Sequence, residues 1–171
     1  MSARAGVTFV GMEPIEVLRF ESDGDVVRYV TLGMSRRPLP DPTSPVVETE
    51  TGPRAELLIS LRGRHDSVLR PLAVLAAAPS VEGTRPSAGS SFDLQGPLCE
   101  GATVSAVLVG EAGGLVPDLL LQHGPVNVLP LLPMTSGEAE WKRAYGAAAL
   151  EERWLAAGTD LRDPYRLAVP L

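Results

Sequence analysis

Cysteine is almost absent. Cys99 is the only one in 171 residues, which excludes an internal disulfide. It reads as a small, semi-buried apolar residue rather than a reactive thiol. Aromatic residues make up only 5% of the chain, so the core must be mostly Leu, Val and Ala. Histidine is scarce too: His65 and His123 stand far apart, and no His-x-x-x-His or Cys-x-x-Cys spacing occurs. That pattern argues against a metal site, and no cofactor is expected. There is no Gly-x-Gly-x-x-Gly or Walker loop, and "GEAGG" at 110–114 lies between strand-like segments, where it makes a turn. No run approaches the roughly 20 apolar residues of a membrane helix. The N-terminal stretch is too polar for a secretion signal. The expectation is a cytoplasmic protein with no membrane partner. Positive charge is in deficit, with a net charge of −6. That argues against nucleic acid, whose binding needs a basic face to displace counterions, although Arg36-Arg37 and Arg62-Gly63-Arg64 form local basic clusters.

What is present fits one folded domain. The length is that of a single domain, and 44% hydrophobic with 21% charged residues is ordinary for a globular chain. "VTFV" (7–10), "IEVLRF" (15–20) and "VVRYVTLGM" (26–34) read as strands, the last two paired across Asp23-Gly24, a hairpin signal. In the third, Val27, Tyr29 and Thr31 share one face. Five prolines between Pro38 and Pro53 mark an exposed loop. "RAELLISL" (54–61) is a strand. "DSVLRPLAVLAAAPS" (66–80) is a helix capped by Asp66 or Ser67, or one that begins nearer Leu69, and stopped by Pro79, with Leu69, Leu72, Ala73 and Ala76 at helical spacing. The stretch 81–101 reads as a long loop, "ATVSAVLVGE" (102–111) as a strand, and "LVPDLLLQ" (115–122) as a strand or extended edge. In "PVNVLPLLPM" (125–134) Pro130 suggests an edge strand or a bend. Thr135-Ser136-Gly137-Glu138 has the form of a capping box, which opens a helix broken near Gly146 and ended at Gly158. The order strands, helix, strands, helices predicts an α+β fold: a mixed, mostly antiparallel sheet with helices packed on it.

The candidate chemistry centres on Gly33-Met34-Ser35. A nucleophile elbow needs Gly-x-Ser-x-Gly, and Arg37 occupies the second glycine position. A proline-rich loop follows where an elbow requires a helix, and a serine nucleophile would need His65 or His123 as its base. The plainer reading is a strand end with a local serine hydrogen bond. Glu138, Glu140, Glu151 and Glu152, interleaved with Lys142, Arg143 and Arg153, read as a solvated helical face. Trp141, Tyr145 and Trp154 read as core anchors, or one Trp as an exposed interface residue.

Three segments in order carry a resemblance. "YVTLGMSRRPLPDP" (29–42) is similar to a strand ending in Thr-x-Gly-Met-Ser and followed by a proline in the Suppressor of fused family. "AELLISL" (55–61) resembles that family's next strand, with an acidic residue and an apolar end. "VNVLPLLPMTSGEAEWKRAYGAAALEERW" (126–154) resembles its closing strand and helices, and "DLRDPYR" (160–166) its tail. The family's aromatic-rich middle is Leu and Ala in this chain. The resemblance implies a single Suppressor of fused-like domain spanning 1–171, with a mixed sheet and packed helices and no known catalysis. In animals the family regulates a transcription factor in Hedgehog signalling by binding it, and stand-alone bacterial relatives include immunity proteins that neutralise toxins. The expected function is therefore a non-catalytic protein-binding module, an immunity protein against a toxin domain being its sharpest form. The expected surface is Ser35, Arg36 and Arg37 with the loops at 38–53 and 83–98. The alternative is a small-molecule binder or cryptic hydrolase using Ser35 and a histidine. The sequence sets no oligomeric state.

Overall fold

In a computed structural model, residues 3–8, 13–22, 24–41, 43, 52–121 and 124–171 are described. The strands are β1 (Ala3–Val7), β2 (Ile15–Glu21), β3 (Val26–Leu32), β4 (Arg54–Arg62), β5 (Ser91–Asp93), β6 (Val104–Val109), β7 (Leu119–Leu121) and β8 (Gly124–Thr135). The helices are α1 (Leu69–Glu82), α2 (Ser136–Tyr145) and α3 (Ala147–Ala157). One sheet runs β1-β2-β3-β4-β8-β6-β5, with β7 added to β8. Among the described residues only the β4–β8 pair is parallel, so the sheet is mixed and mostly antiparallel, as expected. β2 and β3 pair in the register Phe20↔Arg28, although Asp23 itself lies outside the described residues. The first strand comes earlier than "VTFV" suggested, and Phe9 and Val10 are also outside the described residues.

The sheet is covered on both faces, and β6 shows how. Val107 and Val109 join a core cluster with α1, Ile15, Tyr29, Leu57 and Ile59. Ala106 and Leu108 join a second cluster with Met134, Leu150 and Trp154. Neighbouring residues on a strand point to opposite faces, so α1 covers one face and the α2–α3 pair the other. Val104 belongs with Val107 despite its odd spacing, because a register shift between Val104 and Ala106 turns it over.

Several local expectations fail for identifiable reasons. Pro79 does not stop α1. The helix continues to Glu82 and closes on Gly83, whose φ of 68° is the left-handed conformation glycine permits. Pro79 is buried on the packed face, and burial there offsets the lost amide donor. Pro71 falls in the first turn, where the amide has no helical partner anyway. Neither Asp66 nor Ser67 caps α1. Residues 66–68 form a short 3-10 turn, Asp66 accepts from Arg19 (2.5 Å) and Arg64 (2.7 Å), and Ser67 Oγ accepts from Glu100 N (3.0 Å).

β8 is central rather than an edge, although it contains Pro125, Pro130 and Pro133. The Pro130 carbonyl accepts from Gly110 N (2.8 Å), just past the end of β6. The N and O of one strand residue point the same way, so the missing donor faces a place where no strand continues. The Pro133 carbonyl accepts from Arg166 Nη2 (2.9 Å) on the opposite side, where the β4 ladder has ended at Leu131. The stretch 81–101 is not all loop: β5 pairs with β6, and Leu98 and Cys99 are buried.

Candidate functional site

The turn after β3 is built from β4. Residues two apart on a strand share a face, and Arg54 and Glu56 both reach toward this turn. Thr31 Oγ1 donates to Glu56 Oε2 (2.6 Å) and accepts from Leu57 N (2.8 Å). Glu56 Oε1 accepts from Gly33 N (2.8 Å), Ser35 N (3.0 Å) and Ser35 Oγ (2.6 Å). Arg54 Nη1 donates to the carbonyls of Ser35 (2.9 Å) and Arg36 (2.6 Å). Both β4 side chains are buried. Two of the segments that carry the family resemblance, "YVTLGMS" and "AELLISL", therefore form one hydrogen-bonded unit.

Gly33 has a second duty besides its φ of 130°. A Cβ there would stand 2.8 Å from Arg36 Nη1 and 3.2 Å from the Pro14 carbonyl. Its absence lets Arg36 fold back, donating to the Pro14 carbonyl (2.6 Å) and pairing with Glu13 (3.1 Å). Met34, Ser35 and Arg36 form a 3-10 turn, with Met34 buried beneath it. A cleft of about 180 Å³ opens beside the turn, with Ile15 and Met34 at its floor and Arg36 and Arg37 at its rim. Of the expected surface residues, Ser35 is half-buried and Arg36 and Arg37 are exposed. Arg36 and Arg37 thus line the cleft, whereas Ser35 turns its hydroxyl inward to Glu56.

Of the two histidines expected as partners, His65 does not join it. His65 follows the end of β4 that pairs with Val26, so the length of β3, roughly 20 Å at the rise of a strand, separates it from Ser35. There it accepts nothing from serine: its amide donates to the Tyr29 hydroxyl (2.7 Å) and its ring contacts Tyr165 edge-on, with centroids 5.6 Å apart. Burial pushes the Tyr29 hydroxyl pKa up, and the His65 amide only partly counters it. His123 lies outside the described residues. Burial likewise pushes the Cys99 thiol up, the Tyr165 hydroxyl opposing it, which keeps the thiol in its unreactive protonated form. Among the described residues no group of three or more His, Cys, Asp or Glu could hold a metal ion. No helix among them is long and apolar enough to cross a membrane.

Glu138 overturns the reading of a solvated acidic face. It is wholly buried, whereas Glu140, Glu151 and Glu152 are exposed. The capping box is present: Thr135 N donates to Glu138 Oε2 (2.9 Å) and Glu138 N to Thr135 Oγ1 (3.3 Å). The same carboxylate takes two bonds from Arg166 (2.7 and 2.6 Å) and one from Val169 N (2.9 Å). Burial alone would raise its pKa. The Arg166 guanidinium, with the Val169 and Thr135 amides, holds it below the usual range instead. The C-terminal segment is thereby tied across the sheet, with Thr103 N bonded to the Pro164 carbonyl (3.0 Å) and Arg62 N to the Arg162 carbonyl (2.7 Å). Sequence spacing could signal the box but not the distant arginine. Trp154 is buried as expected, Trp141 is half-buried, and Tyr145 is 66% exposed instead of anchoring the core. Tyr145 stacks on Trp141 at 4.6 Å.

Comparison with known proteins agrees with this geometry. Residues 11–167 match the sequence profile of the Suppressor of fused protein (SUFU) family. No curated protein matches the sequence. Among solved structures, the fold is similar to a protein from Neisseria gonorrhoeae described as a Suppressor of fused homologue, at a TM-score of 0.72 and 17% identity, covering 99% of this chain and 88% of that one. It is also similar to a chain of the Sufu–Fu complex (TM-score 0.67, 12% identity, 97% and 84% covered). Drosophila Suppressor of Fused is similar at a TM-score of 0.62 and 12% identity, over 92% of this chain and 43% of that one.

Proposed function

The chain belongs to the Suppressor of fused family, and on that premise we propose that it is a non-catalytic protein-binding domain of the bacterial type. Its partner is a toxin domain that it neutralises in the cytoplasm, and its mechanism is steric occlusion. The observation that carries this reading is the state of Ser35. Its hydroxyl donates to a buried carboxylate that also accepts three other bonds, so the family's signature turn is held as a shape for recognition and not armed as a nucleophile. The Sufu–Fu complex, in which a structurally similar chain is seen with a protein partner, supports binding as the activity. The net charge of −6 favours a partner that is basic overall. A hydrolase pairing Ser35 with His65 finds no support, because the two lie at opposite ends of β3.

The test is to produce the product of the adjacent gene in its host with and without this chain. The reading expects co-purification and rescue of growth. Absence of both, with soluble chain present, would refute it.

A further inference from the structure

The signature turn carries a cation that no other described residue engages. Arg36 is committed to Glu13 and Pro14, and Arg54 to the carbonyls behind the turn. Arg37 has no hydrogen-bond or ion-pair partner among the described residues. It is exposed at the rim of a cleft whose floor, Ile15 and Met34, is apolar and whose far side is Ser80 of α1. Two buried charged side chains of β4 fix this turn, and burying charge is costly unless each is well bonded. The arrangement gives the core little apolar contact. What it does is hold the 35–37 backbone rigid, so that Arg37 is presented at little conformational cost on binding.

We propose that this cleft receives one acidic side chain of the partner protein, its carboxylate on the Arg37 guanidinium and its apolar neighbour over Ile15 and Met34. The occupant follows from charge. The rim holds two guanidinium groups against one carboxylate, Glu13, which Arg36 already neutralises. On an acidic protein that leaves a local positive point. A partner that is basic overall must place a carboxylate here, which fixes orientation and rejects partners that lack one. The inference rests on the binding role proposed above and names the chemistry of its contact.

The probe is a capped peptide, Ala-Leu-Glu-Leu-Ala, titrated into the isotope-labelled full chain and followed by amide shifts, against the same peptide with glutamine. The expected result is shifts at residues 33–37 and at Ile15, at least tenfold weaker with the glutamine peptide and with Arg37→Glu. Arg37→Gln serves as a second variant should the reversal unfold the chain. Shifts elsewhere, no shift at millimolar peptide, or equal binding by the glutamine peptide overturns the proposal. Capture of the adjacent gene's product separates the two claims. If the partner binds wild type and Arg37→Glu equally, the cleft is wrong and the binding role stands; if it binds neither, the binding role fails.

Discussion

Glu56 and Glu138 are both buried carboxylates that tie down chain outside the regular elements, yet they are held differently. Glu56 sits on a strand and is met by hydroxyls and backbone amides. Glu138 sits in the first turn of a helix and is met by a two-pronged guanidinium as well as amides. The first shapes a surface turn; the second closes the C-terminal segment over the Trp154 core. Neutral donors suit the first because a strand end offers free amides at short range. The second also takes a long arginine whose fixed fork matches both carboxylate oxygens.

The largest test of this contrast is Arg166→Met. It strands the Glu138 charge in the core, at an expected cost of about 3–5 kcal/mol in denaturant unfolding, and adding Glu138→Gln recovers much of the loss. The same pair sets acid sensitivity. The folded pKa of Glu138 lies below its ordinary 4.5, so its stabilisation is full above that value and is lost as pH falls through the lowered one. Unfolding midpoints measured below pH 4.5 will fall more steeply for wild type than for the double variant. Glu56→Ala comes next, at about 2–3 kcal/mol, because it leaves several donors unsatisfied without isolating a charge. Gly33→Ala is smaller, about 1–2 kcal/mol from the positive φ and the clash with Arg36. Thr135→Ala is smallest, about 1 kcal/mol for a lost helix cap.

The contrast also shows which parts of the molecule are legible in sequence. The β2–β3 hairpin, the β3 alternation and the capping box follow from spacing over a few residues, and all three are present. The turn at 33–37 could be singled out by similarity, yet its meaning needed Glu56 and Arg54, about twenty positions away on a different strand. The fate of Glu138 is not legible from spacing, because a glutamate in a charged helix looks solvated until Arg166 arrives from the tail. Pro79 and Pro130 depart from expectation for different reasons: burial on the packed face offsets the donor lost at Pro79, and the donor missing at Pro130 faces past the end of β6. β5 is not legible in its polar stretch, because three residues carry no periodic signal.

The central claim is that Thr31, Gly33, Ser35 and Glu56 act as one structural unit, with the Ser35 hydroxyl as a strut. A double-mutant cycle between Ser35→Ala and Glu56→Ala, read by denaturant unfolding, measures this directly. The account predicts a coupling of about 1 kcal/mol or more, as expected for side chains sharing a buried hydrogen bond. Additive losses, with coupling near zero, would contradict it.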